Sequence, residues 1–476
     1  MADFTGPELC AKSAREVVGM LKRKEVSPKE LLDAAYARID AVGPAINATV
    51  TQCRERAYAQ AETAGNADQS DPGWLGGLPV GIKDLNEVGG VVTTMGTLGM
   101  KDYVSPASSP FVEMMENRGA VITGKTNTPE FGAGGNTFNA VFGYTRNPWD
   151  TRKNAGGSSG GAAASLAAGE TWLSSGSDLA GSLRTPAGYC GVCGFRPTPG
   201  RAGGGPGPAA FLNEGIHGPM ARDVEDVALF LDAMTGFDPR MPLSLHAPEV
   251  SFQDSLKQEK KDIRIAFSPD QGGCAPVERE IRDILAAMKT AEGAGMRVEE
   301  ACPATPALYD SYVALRGMHY GAVNNFVPDE VKKHFKRTLR ENIDVGVNQS
   351  SHDIYLAQRG RTEVYHQMRE FLADHDVLAI PVVGLEPTLV EQEYPTVVDG
   401  QELNDYVEWL RFSFLATTAA LPALALPAGF TRTGMPIGIQ LVGPPKGDAL
   451  VLQVGLALER ALNLPKGPID PNVRHV

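Results

Sequence analysis

Two serines and a lysine carry the chemistry that this chain can do. Ser158 stands in GGSSGGAAA and Ser182 in SDLAGSLRTPAGYCG, 24 residues further on, with Lys83 upstream in GLPVGIKDLNE. A serine hydroxyl is a poor nucleophile until a base takes its proton, and a lysine can act as that base only where burial lowers its pKa towards neutrality. The apolar LPVGI run before Lys83 predicts a strand that carries the amine into the core, where its charge is disfavoured. Glycines around both serines let the backbone come close to a substrate and leave N–H groups free to surround an oxyanion.

Other patterns match by letter and fail by context. GAVITGKT, Gly119 to Thr126, fits the GxxxxGK[ST] phosphate loop, but Ala120 to Thr123 reads as the strand itself, and Asn127, Pro129 and Gly132 follow where a helix is required. GxSxG occurs at Gly156-Ser158-Gly160 and at Gly157-Ser159-Gly161. The residues before it, Thr151, Arg152, Lys153 and Asn154, do not read as the buried strand that feeds a nucleophile elbow. Of the eight histidines, none stands in a catalytic setting: His366 and His375 fall in helical, charged sequence and His352 follows two serines. Asp374-His375-Asp376 are adjacent and point apart, so no metal is expected. Cys190 and Cys193 form a lone CxxC, read as buried, inert thiols.

With these residues in place, the chain resembles the amidase signature family of serine hydrolases. The resemblance covers nearly the whole chain and rests also on GAVITGKTNTPEFG at 119–132, TRNPWD at 145–150, CGVCGFRPTPGR at 190–201 and LPALALPAGFTRTGMPIGIQLVG at 421–443. It implies a Ser-cisSer-Lys triad: Ser158, after a cis peptide, relays a proton between Lys83 and the nucleophile Ser182. The backbone N–H groups of Leu179, Ala180, Gly181 and Ser182 would hold the oxyanion, with Ser159, Asp178 and Arg184 supporting the loop. The function implied is hydrolysis of carboxylic amides through an acyl-enzyme, without cofactor or metal, on linear or cyclic amides, anilides, aryl carbamates or esters. Two alternatives stay open: a glutamyl-tRNA amidotransferase A-type subunit, and a non-catalytic binding protein on the same fold. Against the common family pattern, Ala180 replaces a glycine and Ser177 a threonine. Thr185 and Thr198-Pro199 replace the glutamine and Thr-Tyr usual in the amidotransferase subunit, which weakens that alternative.

The elements that must position these residues read as α/β, and the resemblance implies one large mixed sheet covered by helices on both faces, in a single domain over 1–476. The first seventy residues read as a helical collar, with Ser27 as N-cap, Pro28 at the first helical position and Glu30 closing a capping box before Leu31, Leu32, Ala35 and Ile39. Residues 236–262, rich in Pro, Asp and Lys, could be a linker. Strands are expected at Ile263–Phe267, near Val298, at 377–382 and at 437–443, and helices at Val277–Ala294 and 449–462. A helical region at about 305–375 would cap the site, with Met318 and Tyr320 in the substrate pocket.

Composition narrows the rest. At 476 residues, 42% hydrophobic and 21% charged, the chain can build a large core. A net charge of −13 and no basic block longer than Lys257 to Lys261 argue against nucleic acid as a partner. Its longest apolar stretches are interrupted by proline and too short for a membrane span. A cytoplasmic monomer or homodimer acting on a small-molecule amide is expected.

Overall fold

A computed structural model describes residues 4–203 and 209–475. The first three residues of the expected collar lie outside that range. Eleven strands make the main sheet: β1 (Thr49–Gln52), β2 (Pro79–Lys83), β3 (Val121–Thr126), β4 (Leu173–Asp178), β5 (Cys193–Arg196), β6 (Ile216–Ala221), β7 (Arg264–Phe267), β8 (Arg297–Glu300), β9 (Val377–Pro381), β10 (Ala423–Phe430) and β11 (Pro436–Val442). Their order across the sheet is β1-β3-β2-β4-β6-β5-β10-β11-β9-β7-β8. β2 runs parallel to both β3 and β4, whereas β6 is antiparallel to β4, so the sheet is mixed, as expected.

The strands at the centre are buried along their length, as fits a sheet covered by helices on both faces. Val80, Ile122, Leu173, Phe195, Leu378 and Ile439 belong to one contiguous apolar cluster. The helix Pro28–Ile46 starts where the sequence predicts: Ser27 accepts from the Glu30 N–H and the Glu30 side chain closes the capping box. Thr49–Gln52 departs from the helical collar as an edge strand on β3, in keeping with its β-branched TVT.

β3 reaches beyond the expected Ala120–Thr123 and takes in the whole of Gly124, Lys125 and Thr126. The lysine of the apparent phosphate loop is therefore a strand residue, fully buried and paired with Asp84 at 2.9 Å. Asp150–Asn154 does form a strand, but in a separate two-stranded ribbon with Arg146–Asn147, so no core strand feeds Ser158. Residues 236–262 are no free linker: Phe252 is buried, and its N–H and that of Gln253 bond the Asp232 carboxylate at 2.8 and 3.1 Å.

The helix expected at Val277–Ala294 is broken into Arg279–Leu285, a tighter turn Ala286–Lys289 and Thr290–Gly293. Val277 and Glu278 stay outside it, the Glu278 N–H bonding Gly384 O. The 305–375 region is helical, as Leu308–Phe326, Asp329–Lys332, Arg337–Val347 and Ser351–Phe371. Pro328, which cannot continue a helix, separates the first two. Among the described residues no helix is long and apolar enough to cross a membrane.

Candidate active site

Lys83 is the last residue of β2, whose neighbours β3 and β4 close both sides of the strand. The side chain is fully buried, and Nζ lies 2.7 Å from Ser158 Oγ, 2.9 Å from Ser159 Oγ and 3.0 Å from Ser177 Oγ. Burial lowers its pKa to about 7, against the opposing pull of the Asp178 carboxylate. Three hydroxyls can serve a neutral amine as two acceptors and one donor, so the site accommodates the uncharged form.

Ser158 and Ser159 precede the helix Gly160–Ala168, and the Gly157–Ser158 peptide is cis. Gly157 is required by close approach: a Cβ there would stand 2.7 Å from Gly134 O. The Ser159 N–H donates to Ser182 O at 3.2 Å, which ties the two serine loops together.

Ser182 lies in the turn between β4 and the helix Arg184–Cys190. The turn depends on Gly181, whose φ of +82° suits glycine and whose Cβ would stand 2.8 Å from Ser413 Cβ. Asp178, fully buried at the end of β4, braces it from below. Its carboxylate accepts from Gly181 N at 3.1 Å, Leu183 N at 3.2 Å, and Arg184 Nε and Nη2 at 3.0 and 2.9 Å. Burial would raise this carboxyl, but Arg184, then Arg196, hold it well below the usual carboxylate range. Arg184 continues to Gln440 Oε1 at 2.6 Å and Ser413 O at 3.1 Å.

This bracing bears on the four N–H groups expected to face an oxyanion. That of Gly181 is taken by Asp178 Oδ1, whereas those of Leu179, Ala180 and Ser182 have no acceptor among the described residues.

A cavity of about 630 Å³ opens over Ser158, Ser177 and Ser182. One wall is the helix Leu308–Phe326, which contributes His319, Tyr320, Val323 and Phe326. Tyr320 is thus a lining residue of this cavity. Met318 does not line the cavity: at about 100° per residue it falls outside the stripe formed by 319, 323 and 326, and the helix turns it aside.

Sequence reasoning missed His217 here, and the cavity takes in His319 as well. The signal for His217 was its place in β6, where it pairs with Ser177 of β4 and so shares a face with a hydroxyl on Lys83. None of His352, His366 and His375 reaches the cavity. Cys190 and Cys193 are buried free thiols, and burial pushes both pKa values up. Among the described residues no group of three or more His, Cys, Asp and Glu side chains could hold a metal ion.

The Amidase family model matches residues 30–452. The chain is 34% identical to an acylamidase of Rhodococcus erythropolis over 465 residues, 94% of each chain. It is also 34% identical to the A-type subunit of the glutamyl-tRNA(Gln) amidotransferase of Carboxydothermus hydrogenoformans over 488 aligned positions, covering 95% of this chain and 98% of that one. Among solved structures, a bacterial aryl acylamidase of the amidase signature family superimposes with a TM-score of 0.87 at 28% identity, covering 95% of this chain and 96% of that one.

Proposed function

The chain belongs to the amidase signature family, and on that premise we propose that it hydrolyses uncharged carboxylic amides through Lys83, Ser158 and Ser182. The observation that carries this reading is the contact of 2.7 Å between Ser158 Oγ and a buried lysine whose pKa is brought down to about 7. Neutral Lys83 takes the Ser158 proton as Ser158 takes that of Ser182. Ser182 Oγ then attacks the substrate carbonyl, and the N–H groups of Leu179, Ala180 and Ser182 receive the charge that develops on its oxygen. The proton returns through Ser158 to the leaving nitrogen, the C–N bond breaks, and an acyl-Ser182 ester remains. Water, activated by the same relay, releases the acid. Aryl carbamates and esters would enter by the same acyl chemistry.

Similarity to amidotransferase subunits supports a second reading, in which glutamine is the amide. The cavity weighs against it. Its only cation among the described lining residues, Arg240, is paired with Asp238 at 2.6 Å and Glu113 at 2.7 Å, which leaves no uncommitted partner for an amino-acid carboxylate. A purely binding role is disfavoured by the state of Lys83, since a protein without chemistry to do gains nothing from an amine held near neutrality.

The test is covalent labelling by a fluorophosphonate probe together with a screen of p-nitroanilides, primary amides, aryl carbamates and free glutamine. Labelling that Ser182→Ala abolishes, with turnover of neutral amides, is expected. Undiminished labelling of Ser182→Ala would refute the nucleophile. Glutamine as the best substrate would favour the second reading.

A further inference from the structure

Three polar side chains face the cavity and have no part in the hydrolytic relay. Asn86 follows Lys83 in a tight turn, its N–H bonded to Lys83 O at 3.0 Å, so the end of β2 fixes it. Its Nδ2 lies 3.5 Å from Nε2 of His217. The His217 ring is stacked on Phe111, centroids 4.5 Å apart and planes within 20°, which holds its edge in one orientation. His319, on the facing helix, meets Tyr320 edge-on at 5.3 Å. Both imidazoles line the same cavity, and His319 approaches the chain just before β6: a Cβ on Gly215, two residues before His217, would stand 3.4 Å from His319 Cε1.

Each of the three carries a buried polar atom that no described residue satisfies: Asn86 Oδ1, His217 Nδ1 and His319 Nδ1. Buried polar groups in native proteins are normally paired, and an unpaired one at a ligand site marks what the ligand must bring. Burial lowers both imidazole pKa values to about 4, with Lys83 adding to the effect at His217 and Arg316 at His319. Both rings are therefore neutral at any pH where Lys83 can act as a base; with Nε2 of His217 accepting from Asn86, Nδ1 of that ring is left as a donor, and His319 carries one donor and one acceptor. The rest of the lining is largely apolar, with Phe111, Phe131, Met95, Val323 and Phe326, and its charged members are Glu87, Asp178 and the committed Arg240.

We infer that Asn86, His217 and His319 form an uncharged hydrogen-bonding subsite, which selects amides carrying a neutral polar substituent, such as a hydroxyl or carboxamide, on an otherwise apolar body. The inference rests on the reading of the cavity as an amide-hydrolysing site. A carboxylate at the same place is rejected, because neutral imidazoles and a committed Arg240 give it no counter-charge.

The experiment compares anilides that differ in one ring substituent, methyl, hydroxyl, carboxamide or carboxylate, at each ring position, by kcat/KM in the native protein and in His217→Leu, His217→Asn and Asn86→Leu. At the best position the hydroxyl or carboxamide compound should outrun its methyl analogue by roughly tenfold or more, as sites built to bond a substrate polar group do. The carboxylate compound should be slower than the methyl one. His217→Leu should bring the polar-to-methyl ratio close to one, and His217→Asn, which keeps a donor and an acceptor, should restore part of it. Asn86→Leu should lower the ratio independently, which keeps the test decisive if His217→Leu does not fold. A ratio near one in the native protein, or variants that slow both compounds equally, overturns the subsite. Fluorophosphonate labelling read in parallel separates the two levels. A labelled protein without the preference refutes the subsite alone, and a native protein that neither labels nor cleaves any anilide refutes the hydrolytic reading with it.

Discussion

Lys83 Nζ and Ser158 Oγ stand 2.7 Å apart at the floor of the cavity, the lysine being wholly buried and the serine 2% exposed. The contact couples the protonation of one group to the reactivity of the other. Burial brings the lysine pKa to about 7. The base form is the neutral amine, so kcat/KM should rise with pH through about 7, level off above it, and fall about tenfold for each unit below. A pH-rate profile checks this. A rate that stays constant from pH 5 to 9 contradicts a basic role for Lys83.

Because the proton passes through both groups, Lys83→Ala and Ser158→Ala should each cost on the order of 100-fold or more in kcat. The double variant should be little worse than the more damaged single variant, since a relay broken once cannot be broken again. Losses that multiply would mean two independent contributions.

Asp178 pairs with both Arg184 and Arg196 inside the protein while holding the Gly181 and Leu183 N–H groups. Asp178→Asn leaves the buried Arg184 guanidinium without its counter-charge, and Arg196 with Glu214 alone to oppose its charge. Stability in urea should fall by roughly 3–5 kcal/mol. Activity should fall as well, because the same carboxylate shapes the turn that presents Ser182. A variant with native stability would show that the charge is compensated elsewhere.

The helix Leu308–Phe326 divides its apolar residues between cavity and packing, which gives a paired prediction. Phe326 is 57% exposed at the cavity, so Phe326→Ala should raise KM for aryl amides several-fold at nearly constant stability. Met318→Ala should leave the ranking of substrates unchanged. KM measurements over a series of aryl and aliphatic amides check both, and the opposite pattern would place the stripe wrongly.

The sequence by itself determined the family, the α/β class, the strand that buries Lys83 and the failure of the phosphate-loop and nucleophile-elbow patterns. These depend on local order, on which residue types follow one another, and a chain carries that information directly. It also made the capping box of Ser27 and Glu30 legible, because the motif closes within four residues. What only the tertiary structure decided are distances between segments far apart in the chain. Ser177 reaches Lys83 across 94 positions. His217 joins the cavity because β6 lies antiparallel to β4, and a histidine in an apolar strand looks the same in sequence whether its face meets a site or a core. Met318 and His319 are neighbours in the chain with equal claim to the pocket, and a helical rotation of about 100° between them, set by how the helix packs, decided that only the second faces it.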